Sequence, residues 1–311
     1  MEYRRVGRTG LKVSAVSIGG WLTFGARVDE TASLDILRAA LDEGVNFIDL
    51  ADVYGAGRAE RTVGRLLGEA RRDALVVSSK CYWPMGQGPN NRGLSRKHIL
   101  ESCEGSLRRL GTEYLDLYFC HREDDDTPLD ETVRAMDDLV HQGKILYWGT
   151  SCWSARRLLR TGAMASMRGF YGPVVEQPQY SLLERGPEKG LFRTASGLGM
   201  GIVVWSPLAG GALTGKYDDG LPEGTRGAET EWLDRHLAGD GRKRLRRFSE
   251  IASDLGVRPA QLALAWCLRR PEVTSVITGA TRVEQVLENV KAVDVELPRE
   301  VQGELDTLFP R

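Results

Sequence analysis

Asn46-Phe47-Ile48-Asp49-Leu50-Ala51-Asp52-Val53-Tyr54-Gly55-Ala56-Gly57 sets an apolar run directly before a turn signal, and its reading decides the fold. Phe47, Ile48 and Leu50 read as a buried strand that stops near Asp49. An acid at a strand's end, with a phenol five residues on, faces the mouth of a sheet rather than its core. Such an aspartate needs a cationic or hydrogen-bonding neighbour. The next strand-like run, Leu75-Val76-Val77-Ser78-Ser79, ends in Lys80, and the one after it, 115–120, is followed by His121. Three successive strands finish on titratable side chains, the pattern of a catalytic rim.

Outward from that stretch, strand and helix patterns alternate. Upstream, 3–13 reads as a small hairpin around Gly10 that could plug one end of a larger sheet. Further strands are expected at 16–18, 145–149, 173–177, 201–205 and 274–278. Helical spacing marks 31–43, where Leu34, Ile36, Leu37, Ala40 and Leu41 share a face, and 59–68, 96–110 and 128–142. Shorter or later helices are expected at 155–160, 191–198, 244–255, 259–269, 283–291 and 298–308, with a long Gly- and charge-rich loop over 207–240. That makes eight strands, the number that closes a parallel (β/α)8 TIM barrel, here with an N-terminal β-hairpin and extra C-terminal helices. The active site of such a barrel lies at the strands' C-terminal ends, where the titratable residues fall. An open doubly wound sheet is the alternative. It would want Gly-x-Gly-x-x-Gly after the first strand, where this chain has Gly19-Gly20, and Gly55-Ala56-Gly57 is followed by Glu60.

The 311 residues fit one barrel domain spanning 1–311. The formal charge of -1 gives no basic excess for a nucleic-acid footprint, and the run 242–247 reads as a solvated helix face. Five cysteines without Cys-x-x-Cys spacing suggest a reducing compartment, and four scattered histidines offer no metal motif. The start lacks an apolar signal segment and no run reaches membrane-spanning length, so the expectation is a cytoplasmic protein without membrane insertion.

A tyrosine is a weak acid, with an ordinary pKa near ~10. A lysine ammonium beside its oxygen favours the phenolate and should lower that value, while an aspartate keeps the lysine charged and aimed. Asp49, Lys80 and Tyr54 therefore make a tuned proton donor, with His121 placed to hydrogen-bond the same reacting oxygen. The set suits proton delivery to a carbonyl oxygen as hydride reaches its carbon. The plainer reading is a buried Lys–Asp bridge with a packed Tyr and His. Gly210-Gly-Ala-Leu-Thr-Gly-Lys216 matches an NTPase phosphate loop in outline, yet Tyr217 stands where a magnesium-binding hydroxyl belongs and no helix follows. A glycine-rich loop with a lysine still suits a dinucleotide's pyrophosphate.

These residues carry a resemblance to the aldo-keto reductase superfamily, over essentially 1–297. In local texture the chain is similar to the branch containing the voltage-gated potassium channel beta subunits, through Gly20-Trp21-Leu-Thr-Phe-Gly25, Gly93-Leu-Ser-Arg-Lys-His98, Tyr147-Trp-Gly-Thr-Ser-Cys-Trp-Ser154, Trp205-Ser-Pro-Leu-Ala209 and Leu262-Ala-Leu-Ala-Trp-Cys-Leu268. The resemblance implies a barrel that binds NADPH (NADP+) and reduces carbonyl substrates, with Asp49, Tyr54, Lys80 and His121 as catalytic tetrad and Tyr54 as general acid. It implies cofactor contacts at Gly20, Trp21 and Asp49, a nicotinamide site of Ser151, Gln177 and Trp205, and a pyrophosphate loop of Ser206, Leu208, Gly210 and Lys216. Arg226, Gly279, Thr281, Arg282, Gln285, Glu288 and Asn289 complete the implied cofactor set, the last of them around an adenosine 2'-phosphate. Thr281 reads as an N-cap beside Arg282, a natural place for a dianion. A substrate pocket lined by Trp21, Tyr54, Tyr82, Trp83 and His121, with Trp153 near, argues for aromatic or apolar aldehydes and ketones.

Where many members carry Ser-Asn, this chain has Ser151-Cys152, and where the channel-subunit branch carries Asn it has His121. Two further readings stay open. One is a cofactor-bound regulatory subunit with slow turnover, and the resemblance also implies a homo-oligomer, tetramer or octamer. The other is a Schiff-base aldolase using Lys80.

Overall fold

The computed structural model describes residues 1–223, 225, 228 and 231–311, with the backbone alone at Trp232 and Arg235. Eight parallel strands close on themselves. They are β3 (Val16–Gly19), β4 (Phe47–Asp49), β5 (Val76–Cys81), β6 (Leu115–Cys120), β7 (Ile145–Ser151), β8 (Val175–Gln177), β9 (Gly201–Trp205) and β10 (Val273–Thr278), with β10 pairing both β9 and β3. Helices cover the outside, so the strands are buried on both faces and read as near-continuous apolar runs. This is a TIM barrel, as expected from the alternation.

Two apolar layers result from the period-two alternation of each strand. Ile48, Val77, Tyr118 and Val204 pack outward against the helices. Phe47, Val76, Leu117, Phe119, Val175, Val203 and Ile277 form a second cluster that fills the barrel's interior. Gly149 on β7 leaves room for it, since a Cβ there would meet Val175 Cγ1 at 2.5 Å and Phe119 Cε1 at 2.8 Å.

The N-terminal hairpin, β1 (Tyr3–Arg5) and β2 (Lys12–Ser14), pairs antiparallel and stands apart from the barrel sheet. Its Val6 and Val13 are fully buried in the inner cluster, so the hairpin closes the barrel at the strands' N-terminal end. At the other terminus the helix Arg299–Leu308 packs its buried Leu305 inward. Phe309 meets Phe248 of the helix Gly241–Asp254 with ring centroids 6.0 Å apart.

Most boundaries fall within three residues of the periodicity reading, and two segments depart from it further. The helix expected over 155–160 runs Ala155–Arg168, because Leu158, Thr161 and Ala165 keep one face buried beyond the point where polar residues dominate. The long loop after β9 contains a 3-10 segment, Ala209–Thr214, and a short helix, Asp234–Leu237. Among the described residues, no helix is long and apolar enough to cross a membrane, and no group of three or more His, Cys, Asp or Glu is placed to hold a metal.

Candidate active site

The same alternation that fills the barrel carries polar groups onto its upper rim. Inward positions run Phe47 then Asp49, Val76 then Ser78 and Lys80, and Phe119 then His121. On the far side they run Val175 then Gln177, and Val203 then Trp205. Register sets Asp49 opposite Ser78, Lys80 opposite Phe119 and Ser151 opposite Gln177, and the last member of each series ends at the strands' C-terminal rim.

Asp49 is the hub. Its Oδ2 accepts from Lys80 Nζ at 2.6 Å, and its Oδ1 accepts from Ser78 Oγ and Gln177 Nε2, each at 2.9 Å. Lys80, with no exposed side-chain surface, also donates to the Leu50 carbonyl at 2.7 Å and lies 3.4 Å from the Tyr54 hydroxyl. Tyr54 is held there by a tight turn in which Gly55, Ala56 and Gly57 all have φ between 54° and 83°. Its ring meets His121 edge-on at 5.9 Å.

Burial sets the charge states. It draws the Lys80 ammonium below the ordinary lysine value, with the Asp49 contact working against the shift. Burial, then the Lys80 and Arg122 charges, holds His121 well below the ordinary imidazole value, so the ring is neutral; its Nδ1 is buried without a partner among the described residues. The expectation that lysine would lower the Tyr54 pKa is corrected. Burial and the Asp49 charge raise it well above the ordinary phenol value, and they outweigh a lysine at 3.4 Å whose charge is already held by Asp49. Tyr54 is thus a protonated donor in this state.

A cavity of about 800 Å³ opens over these groups and continues across the loop after β9 to the helix Val283–Asn289. Trp21, Asp49, Tyr54, Trp83, His121, Ser151, Gln177 and Trp205 line its deep part. Ser206, Leu208, Gly210, Lys216, Gly279, Thr281, Arg282, Gln285, Glu288 and Asn289 line its long arm. Three expected contacts lie off the lining. Lys80 acts from beneath it, Gly20 packs instead against Leu50, Phe24 and Ala59, and Tyr82 backs Trp83 edge-on at 5.0 Å. Trp153 is buried in the outer core rather than beside the cavity. Arg226 lies outside the described residues. Arg122, Leu22, Thr23, Arg27, Val53 and Ile277 also line it and were not anticipated.

The long arm has the donors and the room that a dinucleotide needs. Gly211 has φ +98°, and a Cβ there would come within 2.6 Å of Lys216 Nζ, so a side chain would displace the lysine. Trp205 Nε1 is buried without a partner among the described residues. Ser151 Oγ donates to the Gln177 carbonyl at 2.9 Å and Gln177 Nε2 is spent on Asp49, which leaves Gln177 Oε1 as the acceptor for an amide NH2. Arg282, not Thr281, occupies the N-cap position; Thr281 N instead donates to Gln285 Oε1 at 2.7 Å.

Backbone strain concentrates at the same end. Leu22, Ala56, Cys152, Ser206 and Ala209 are the described non-glycine residues with positive φ, and each lies in a loop that follows a barrel strand. The carboxyl of Glu176 supports one of these loops from behind, accepting from the Trp153 amide at 3.1 Å and from the Thr150 hydroxyl.

Comparison with known proteins agrees with this geometry. A protein named "Probable voltage-gated potassium channel subunit beta" from Oryza sativa subsp. japonica is 46% identical over 302 residues, covering 95% of this chain and 92% of the relative. One of the same name from Arabidopsis thaliana is 45% identical over the same span and shares. The family model described as "Aldo/keto reductase family" matches residues 15–309, which takes in every barrel strand and the whole rim, and the chain belongs to that family.

Proposed function

We propose that this chain is an NADPH-dependent reductase that converts aldehydes and ketones to alcohols, with Tyr54 as the general acid. The observation that carries the reading is the hydrogen-bonded line Asp49–Lys80–Tyr54, which ends on a cavity that His121 also lines. When bound, NADPH would supply the hydride that reaches the substrate's carbonyl carbon. Ser151, Gln177 and Trp205 would hold its nicotinamide end, with Lys216, Arg282 and Asn289 along the phosphate-bearing end. The basic residues of that arm favour a cofactor with the additional 2'-phosphate.

Within that arrangement the chain's own groups handle the proton. Tyr54 gives its hydroxyl proton to the carbonyl oxygen, and the phenolate left behind faces Lys80 Nζ. Asp49 keeps the ammonium oriented through the 2.6 Å contact. Neutral His121 can donate one hydrogen bond to the substrate oxygen, which orients it without adding charge. Lys80 as a Schiff-base nucleophile fits poorly, since its amine is engaged by two acceptors and does not line the cavity.

The relatives' printed names favour a second reading, a cofactor-bound subunit of a potassium channel with slow turnover. One experiment separates them. NADPH consumption with a panel of aromatic aldehydes is compared for wild type and Tyr54→Phe, alongside NADPH binding. We expect turnover to fall by at least ~10²-fold with binding retained. Tight NADPH binding without wild-type turnover would favour the subunit reading, and equal turnover in both proteins would remove Tyr54 as the acid.

A further inference from the structure

Arg122 follows His121 directly and lines the same cavity as Tyr54 and Trp83. It is half-buried, its Nη1 donates to the His121 carbonyl at 2.6 Å, and its guanidinium carbon lies 5.7 Å from the Trp83 ring centre. Among the described residues, that is its whole set of polar and aromatic partners, and no carboxylate lies within ion-pair distance of it.

The neighbouring acids are engaged elsewhere. Glu123 accepts from the Ser154 amide. Asp124 accepts from the Leu94 amide at 2.6 Å and the Thr127 hydroxyl at 2.7 Å, and Asp125 pairs with Arg157 Nη1 at 2.7 Å. Lys80, the buried cation beneath the cavity, is matched by Asp49. Among the described residues, the Arg122 guanidinium therefore faces the cavity without a carboxylate in ion-pair contact. Its charge is felt by its surroundings: Arg122 acts to lower the proton affinity of Tyr54, Lys80 and His121. Lys216 and Arg282 line the same cavity and are the cations proposed above for the cofactor's phosphate-bearing end.

We propose that Arg122 is an anion subsite at the substrate mouth, so that the carbonyl compounds this chain reduces carry a carboxylate. The inference rests on the reductase reading above and names its substrate class. A planar guanidinium offers a carboxylate a two-pronged, charge-assisted match that a lysine cannot reproduce. Trp83 alongside provides an apolar wall for the carbon skeleton between carboxylate and carbonyl. The aromatic lining alone suggests apolar aldehydes; the guanidinium changes that expectation to keto or aldehydo acids.

The test compares kcat/KM for 4-carboxybenzaldehyde and 4-methylbenzaldehyde with NADPH, in wild type, Arg122→Gln and Arg122→Lys. The ratio of the two substrates is the readout, because their differing intrinsic reactivity cancels between proteins. The ratio should fall at least about tenfold in Arg122→Gln, mostly through KM for the carboxylate, and take an intermediate value in Arg122→Lys. An unchanged ratio, including an equal fall for both substrates, overturns the proposal. If Arg122→Gln does not fold, the Arg122→Lys ratio decides by the same criterion. Calorimetric titration of benzoate into NADP+-loaded protein is read separately. Wild type should bind benzoate in a salt-sensitive way, and Arg122→Gln should bind it at least about tenfold more weakly. Failure of wild type to bind benzoate, or equal binding by the variant, overturns the subsite. Wild-type protein that turns over neither aldehyde but shows the benzoate difference would sink the reductase reading while sustaining the anion subsite.

Discussion

Asp52 lies between two residues of the rim sequence, Asp49 and Tyr54, yet it plays no part in the proposed chemistry. It is fully buried, and neither carboxyl oxygen has a side-chain or backbone partner among the described residues beyond the influence of the Val53 amide. Burial and the nearby Glu60 charge push its pKa up to about 8. The sign of the consequence follows from proton linkage. The folded protein holds this proton and the unfolded chain releases it above its ordinary value near ~4, so stability is full below that value and declines as pH rises toward the folded pKa. Asp52→Asn keeps the shape without the ionisation. Its stability relative to wild type should therefore grow with pH between about 4 and 8, by at most about 1.4 kcal/mol per pH unit. Urea unfolding of both proteins at three pH values checks this. A pH-independent difference would mean that Asp52 is charged in the folded state and has a partner. Burial overturns the simple expectation for Tyr54 in the same way: the sequence shows which residues meet, but not how far each sits from water.

At the scale of an element, the turn after β7 shows both what periodicity makes legible and where it stops. Ser151 and Gln177 were named through the family resemblance and not through periodicity, which ended the strand at 149, and register places them one beside the other. The conformation of Cys152 was not readable: it sits at φ +57°, a region that a residue with a Cβ adopts at a cost. Glu176, fully buried on β8, holds the turn in place, and that required knowing which amides it faces. Arg122 escaped notice for a related reason. A strand-end pattern marks inward positions, whereas a long side chain on the next residue reaches the cavity from the loop. Asparagine tolerates the left-handed region better than cysteine does. Cys152→Asn should therefore stabilise the protein by about 0.5 to 1 kcal/mol. It should also tighten NADPH binding, because the loop bearing Ser151 would be held with less strain. Denaturant unfolding and a fluorescence titration with NADPH would show it. Lower stability would mean that the packing of the Cys152 thiol outweighs the backbone strain.

Across the whole molecule, the barrel separates a stabilising end from a reacting end. Alternation and strand number were enough to predict closure, because eight strands buried on both faces have no edge to spare, and the hairpin's plug role followed from its position ahead of the first strand. Val13 belongs wholly to the stabilising end, packed with Val6 over Phe47, Leu117 and Phe119. The rim groups lie one or two inward positions further along the same strands, beyond this apolar layer. Val13→Ala should cost about 2 kcal/mol through lost burial and a residual cavity. If the inner cluster transmits none of that loss upward, NADPH should bind the variant with unchanged affinity. NADPH at about 100 times its Kd should then raise stability by about 2.7 kcal/mol in wild type and variant alike. Sites this far apart without shared partners are expected to add. Thermal unfolding of both proteins with and without NADPH completes the cycle. A smaller cofactor-induced gain in the variant would show that the plug helps to set the geometry of the rim, and that the two ends of the barrel are coupled through Phe47 and Phe119.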